Sequence, residues 1–241
     1  MSDASMTART DRWFLKYICD EKDEPQFYSS YGVFVHKLIG GFYSGKYTAE
    51  ELPRKFLIDF QSEVKGDRPP GQTSANYIRQ GAEYFKDFSP FPLNTVAVEK
   101  EIRFDIDGTR FVCIVDYIGE RDGDLYLIDH KSRDMKPRSG RKNPTRKDEE
   151  LDEMLKQLYL YSAAVRHEYG AFPKYLCFNC FRTGVFIQEP FRITAYEDAI
   201  REIMKDISRI ENEDDFSPYI DYFACRSICG VHNECCYYDG R

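Results

Sequence analysis

The sequence contains no long apolar run, which excludes a membrane-spanning protein. No stretch approaches the roughly 18 consecutive apolar residues that a transmembrane helix needs. The first twelve residues also lack the apolar segment of a secretory signal, so we expect a cytoplasmic protein. In that reducing compartment the eight cysteines are not expected to form a disulfide framework, and a tight cluster of cysteines favours metal binding.

Basic residues are also fewer than acidic residues. The chain has 34 Lys and Arg against 41 Asp and Glu, a net charge of −7. This balance argues against a protein that coats nucleic acid indiscriminately, although it leaves room for a local basic surface. Tryptophan occurs once, but 18 Tyr and 18 Phe suffice for a sizeable core. At 241 residues we expect one domain spanning 1–241.

The hydrophobic pattern changes from a helical to a strand period near residue 93. Before it, helices are predicted around 34–42, from a capping box at 48–51, and around 77–85. After it come three β-rich segments, a helix, two strands and a last helix, at 95–104, 109–118, 124–131, 148–169, 175–181, 184–190 and 194–211. We therefore predict an α/β fold with a central mixed sheet, an antiparallel three-strand meander and flanking helices. Its parts are a helical region (1–92), a catalytic core (93–213) and a cysteine-rich tail (214–241).

Two acids and a lysine mark the second and third predicted strands. Asp116 ends an apolar strand, and Asp129 and Lys131 are two residues apart, so they share one face of the next strand. A pair of carboxylates can bind a divalent cation, and a lysine beside them can hold a water, which suits phosphodiester hydrolysis. An exposed salt bridge at a strand end is the alternative interpretation, because Asp-x-Lys also occurs elsewhere in this chain.

Two further motifs extend this set: Gly32-x3-His36 precedes it and Gln157-x3-Tyr161 follows it. In this order the motifs resemble the PD-(D/E)XK nucleases, and more narrowly their RecB-like branch, which includes AddB and CRISPR-associated RecB-like exonucleases. The resemblance runs from about residue 19 to residue 236 and implies a restriction-endonuclease-like core. It departs from the family at Cys113, where a glycine is frequent.

The resemblance also implies roles for individual residues and a Mg²⁺ or Mn²⁺ cofactor. The implied metal ligands are His36, Asp116 and Asp129. The implied catalytic residues are Asp116, Asp129, Lys131, Gln157 and Tyr161. Among the acids of the preceding strand, Glu99 is a further candidate contributor, whereas a solvated strand face is the expected role of Glu101.

A basic loop follows Lys131. Between Lys131 and Lys147 there are eight Lys and Arg and one acid, Asp134. Such a run is usually a solvated, mobile face. Beside the candidate lysine, however, it favours phosphate contacts that hold a nucleic acid strand without reading its bases. The candidate DNA-binding residues are Arg133, Lys136, Arg138, Arg141, Lys142, Arg146 and Lys147.

The tail carries the pattern Cys225-x3-Cys229-x5-Cys235-Cys236, which is typical of metal binding. Zinc, held by these thiolates with His232, and simple free thiols are both open interpretations. The resemblance implies a [4Fe–4S] cluster held by Cys19, Cys225, Cys229 and Cys235, because RecB-like nucleases with such a cluster place one cysteine before the motif histidine. The last ligand stays open between Cys235 and Cys236.

We therefore expect a metal-dependent DNA nuclease, an exonuclease acting on single-stranded DNA ends during recombination, repair or processing. The alternative is a catalytically silent DNA-binding or partner subunit of a helicase–nuclease or recombination complex that keeps the nuclease fold. A nuclease directed at RNA is a third possibility, and a helicase or recombination protein is the partner expected in either case.

Overall fold

The computed structural model describes residues 14–213, 221–235 and 237–238. A π-helical turn (Phe14–Ile18) and a 3-10 turn (His232–Glu234) lie near the two ends of this part of the chain. The α-helices are α1 (Phe27–Tyr43), α2 (Leu52–Glu63), α3 (Gly71–Lys86), α4 (Arg146–Tyr169), α5 (Ile193–Glu211) and α6 (Tyr222–Ser227). The strands are β1 (Asn94–Ile106), β2 (Thr109–Arg121), β3 (Asp124–His130), β4 (Tyr175–Cys180) and β5 (Val185–Pro190).

The five strands form one mixed sheet in the order β1-β2-β3-β4-β5. The pairs β1–β2, β2–β3 and β4–β5 are antiparallel, whereas β3 and β4 run parallel and are joined across one face by α4. A parallel pair needs such a crossover, and hairpins suffice elsewhere. The β1–β2 and β2–β3 hairpins turn at Asp107-Gly108 and Asp122-Gly123, where all four residues have positive φ. The predicted mixed α/β architecture with an antiparallel meander is confirmed.

Each face of the sheet has its own core. On one face, Leu155 and Leu158 of α4 pack on strand residues such as Val115, Leu127 and Phe178. The opposite face is covered by the C-terminal end of α1 and by the loop after α3, in a smaller cluster around Tyr117 and Ile128. No helix in the described ranges combines the length and apolar character needed to cross a membrane.

The three N-terminal helices build a separate aromatic core. Its fully buried rings include Tyr31 and Phe34 of α1 and Phe56 of α2. The predicted helices around 34–42 and 77–85 lie within α1 and α3.

The predicted helix start at 48–51 is wrong by one turn. The Thr48 N–H does donate to the Glu51 carboxylate (2.8 Å), as a capping box requires, but α2 begins only at Leu52. Pro53 in its first turn explains the shift, because proline lacks an N–H and is accommodated where helix N–H groups have no partner.

Alanine substitutions at two glycines test this packing, because they should change the free energy of unfolding in opposite directions. A methyl group on Gly81 of α3 would overlap the Phe56 ring and the Tyr31 hydroxyl, whereas one on Gly32 of α1 would meet no atom within 4 Å. We expect Gly81→Ala to lower the free energy of unfolding by about 1–3 kcal/mol. Gly32→Ala should raise it by about 0.5–1 kcal/mol, because alanine favours the helix. Urea denaturation followed by circular dichroism checks both, and equal effects would contradict the packing described.

Candidate active site

The site begins where strands β2 and β3 stop pairing. Their ladder runs from Arg121–Asp124 to Tyr117–Ile128, so the next position sets Asp116 opposite Asp129. Instead of a backbone rung, the Asp116 carboxylate accepts the backbone N–H of His130 through Oδ2 at 2.7 Å. The side chain thus takes the place of a ladder hydrogen bond, and two acids face each other in the buried end of the sheet.

His36 reaches this point from α1. Its Nδ1 lies 3.5 Å from Oδ1 of Asp116, and its Nε2 lies 2.8 Å from the backbone oxygen of His130. The Nε2–H donates to that carbonyl, which fixes the ring and points Nδ1 at the carboxylate. A histidine held in this way through its second nitrogen is typical of metal ligands in proteins.

Lys131 lies on the other side of the pair of acids. Its Nζ is 2.9 Å from Oδ2 of Asp129 and donates to Oε1 of Gln157 at 2.7 Å. Gln157 in turn donates from Nε2 to the Tyr161 hydroxyl at 2.9 Å. Since Gln157 and Tyr161 are one turn apart on α4, the helix holds the ammonium group in place through a short hydrogen-bonded chain.

The charges of these groups are strongly shifted by burial and by one another. Burial raises the pKa of Asp129 to about 6, with Asp116 adding to this effect and Lys131 opposing it. Burial also acts to raise the pKa of Asp116, but His36 and His130 outweigh it and hold that pKa at about 2. For His36, burial acts downward, whereas Asp116, Asp129 and Glu99 together raise its pKa to about 9. His130 is neutral, because burial lowers its pKa to about 3.

The donor atoms fit a divalent cation. Ligand atoms of His36, Glu99 and Asp116 lie within 4.8 Å of one another, the only such group of three in the described part of the chain. Close by, Oδ2 of Asp129 is buried and has the Lys131 ammonium, 2.9 Å away, as its ion-pair partner. Carboxylate oxygens with one imidazole suit Mn²⁺ and, less well, Mg²⁺.

Glu99, which lies outside the motifs but is a candidate contributor from its place on the strand before Asp116, belongs to this group. Asp129 lies outside the three-residue group, and its carboxylate contacts Lys131. Strand alternation alone gives the same signal for Glu101. In the structure Glu101 pairs with Arg103 on the exposed face, as a solvated strand residue does.

Several basic side chains of the loop are already held by ion pairs within the protein. Arg138 is held by Asp152 and Glu189 at 2.7 and 3.0 Å, and Lys136 pairs with Asp134. At the start of α4, both Arg146 and Lys147 pair with Glu150, while Arg133 contacts the Met154 sulfur. Among the described residues, Arg141 and Lys142 form no ion pair, so these exposed side chains are the most available to a phosphate backbone.

One buried carboxylate organises that loop. Asp148, in the first turn of α4, accepts the N–H and hydroxyl of Ser139 and the N–H and hydroxyl of Thr145, all at 2.7 Å. These four hydrogen bonds hold the pKa of Asp148 far below its usual range. They also hold the loop against α4, the helix that carries Gln157. The same helix therefore positions both the basic loop and Lys131.

The candidate cysteine ligands lie near the two ends of the described chain. Cys19 is exposed, Cys225 and Cys235 are half-buried and Cys229 is buried; Cys236 lies outside the described residues. The N-terminal segment contacts the tail beside Cys229, because the Glu24 N–H donates to the Gly230 oxygen at 2.8 Å. A side chain on Gly230 would overlap Asp23 and Glu24, so a glycine is required for this contact.

The family model of the PD-(D/E)XK nuclease superfamily matches residues 11–236. Among solved structures, a protein of Eubacterium rectale described as a "putative exonuclease" superposes with a TM-score of 0.47 and 11% identity, over 88% of this chain and 84% of that chain. No match was found among curated proteins.

The shifted pKa of His36 predicts how the metal-free protein responds to pH. The folded-state pKa of about 9 exceeds the unfolded value of 6.5, so this stabilisation is complete below pH 6.5 and is lost as the pH rises to 9. In the presence of a chelator we expect the free energy of unfolding to fall by about 1–3 kcal/mol over this range. Urea denaturation at both pH values checks this, and an equal fall in His36→Asn would contradict it.

Proposed function

Because this chain belongs to the PD-(D/E)XK nuclease superfamily, we propose that it is a metal-dependent DNA nuclease of the RecB-like branch. We propose further that it acts as an exonuclease on single-stranded ends during DNA recombination, repair or processing. The observation that carries the proposal is the position of Lys131, which is 2.9 Å from Asp129 and is held by Gln157. Asp129 in turn lies opposite Asp116, the acid that His36 contacts.

The residues divide into two groups with different tasks. His36, Asp116 and Asp129 would hold a Mg²⁺ or Mn²⁺ ion, which when bound acts as a Lewis acid on the phosphate and acidifies a water. Lys131 places a fixed positive charge beside the phosphate oxygens, where negative charge grows as the phosphodiester is attacked. Gln157 and Tyr161 keep the lysine in place, so this charge needs no reorganisation during the reaction.

Single-stranded DNA suits two surfaces near the site. The exposed Arg141 and Lys142 offer phosphate contacts in the loop that follows Lys131. On the face of the sheet opposite α4, a cavity of about 680 Å³ is lined by rings that include Tyr84, Phe91 and Phe186. Its wall contains Asn179, whose amide lies 3.1 Å from the His130 ring, so the cavity reaches the back of the site. Unpaired bases stack on such rings with little sequence preference.

For the cysteine tail we propose a structural [4Fe–4S] cluster held by Cys19, Cys225, Cys229 and Cys235. The contact between Glu24 and Gly230 supports it, since it brings the segment that follows Cys19 against the tail. Zinc, held by the tail thiolates with His232, is the alternative occupant.

Cleavage of end-labelled single-stranded DNA in Mn²⁺ tests the nuclease. We expect Lys131→Ala to reduce the rate by at least about a hundredfold, since it removes a fixed charge from the reacting phosphate. Lys174→Ala, which breaks an exposed ion pair with Asp124 at the other end of β3, is the control and should retain the full rate. Equal rates for Lys131→Ala and the wild type would contradict the proposal.

Wild-type protein that binds DNA and Mn²⁺ but does not cleave would instead favour a silent DNA-binding or partner subunit. Duplex DNA and RNA of the same sequence provide the comparison for substrate choice. Faster cleavage of either than of single-stranded DNA would contradict the proposed preference.

Anaerobic purification tests the cluster. We expect a brown protein with an absorption band near ~400 nm, which Cys229→Ser reduces or abolishes. Cys180→Ser is the matched control, because Cys180 is buried at the end of β4 and is not a proposed ligand. A colourless protein that contains zinc, or a band that Cys229→Ser leaves unchanged, would overturn the assignment.

A further inference from the structure

The backbone of β1 is irregular at one residue, Glu99. Its φ of +46° lies in the left-handed region, which residues with side chains rarely adopt and which costs about 1 kcal/mol or more. The flanking pairs Val98–Tyr117 and Lys100–Val115 place Glu99 directly opposite Asp116. The irregularity therefore occurs where β1 passes the buried acid of the site.

The neighbouring helix has room for this side chain. Gly40 lies one turn after His36 on the buried side of α1. A Cβ on Gly40 would lie 3.1 Å from Cγ of Glu99, which is closer than most Cβ contacts in proteins, and 3.5 Å from its Oε1. Glycine at this position lets the stem of Glu99 lie against the helix beside the histidine.

As a result, side chains from three separate elements converge. Atoms of His36 from α1, Glu99 from β1 and Asp116 from β2 lie within 4.8 Å of one another. Within the described ranges, no lysine or arginine forms an ion pair with Glu99, so its charge is not neutralised in that way. Close by, the buried Oδ2 of Asp129 forms an ion pair with Lys131. Three carboxylates therefore converge with two basic groups, His36 and Lys131, and a bound cation would balance the remaining negative charge.

We propose that Glu99 is a further metal-binding residue of this site, joining His36 and Asp116 on a bound Mn²⁺ or Mg²⁺ ion. This rests on the proposed function and extends it, because the ligand set then includes an acid outside the Asp-x-Lys motif. An imidazole with carboxylates favours Mn²⁺ over Mg²⁺ at such a site.

Mn²⁺ titration of the complete chain, followed by electron paramagnetic resonance, tests the assignment without reference to activity. We expect Glu99→Gln to raise the Mn²⁺ Kd by at least about tenfold, and to shrink the increase in Tm that Mn²⁺ produces in the wild type. Glu101→Gln is the matched control on the same strand, and its Kd should stay within about twofold of the wild type. The Tm of each variant without metal shows that it is folded.

A second pair of variants tests the positioning. Gly40→Ala pushes against Glu99 and should also weaken Mn²⁺ binding, whereas Gly32→Ala on the same helix meets no atom within 4 Å and should not. If wild type and Glu99→Gln bind Mn²⁺ equally, this inference is overturned while the proposed nuclease stands. If the wild type binds no Mn²⁺, both this inference and the proposed function are contradicted.

Discussion

The site depends on one hydrogen bond, the one that Asp116 accepts from the backbone of His130. By taking the place of a ladder rung it ends the pairing of β2 and β3 and leaves Asp116 and Asp129 facing each other. The same residue, His130, offers its carbonyl to His36. The N–H and the C=O of one peptide segment thus position an acid and a histidine, while the next residue along the chain is Lys131.

Without a bound cation, the two facing carboxylates lower the free energy of unfolding of the protein. Burial, together with the like charge of Asp116, raises the pKa of Asp129. His36 is protonated, and its positive charge stands beside Asp116 where we propose that an ion binds. A proton and a metal ion would therefore compete for the His36 side chain, as is usual when metal ligands must be deprotonated.

Much of this could be predicted from the sequence, because local rules govern it. Alternation and the Asp-Gly turns define the meander, and the two-residue spacing of Asp129 and Lys131 puts both on one face. The sequence offers Glu99 as a candidate contributor, but its approach to His36 and Asp116 could not be predicted, since it depends on a left-handed residue and on the close approach of Gly40 in a distant helix. The ion pairs of the basic loop could not be predicted either. Arg138 pairs with residues on α4 and β5, which composition alone does not reveal.

The central claim is that these strands and α1 build one cation site beside Lys131. Crystals of the chain grown with Mn²⁺, measured near the manganese absorption edge, test it most directly. The account predicts an anomalous peak between the imidazole of His36 and the carboxylate of Asp116, with the Lys131 ammonium still next to Asp129. An absent peak at Mn²⁺ concentrations that support DNA cleavage, or a peak elsewhere in the molecule only, would contradict it.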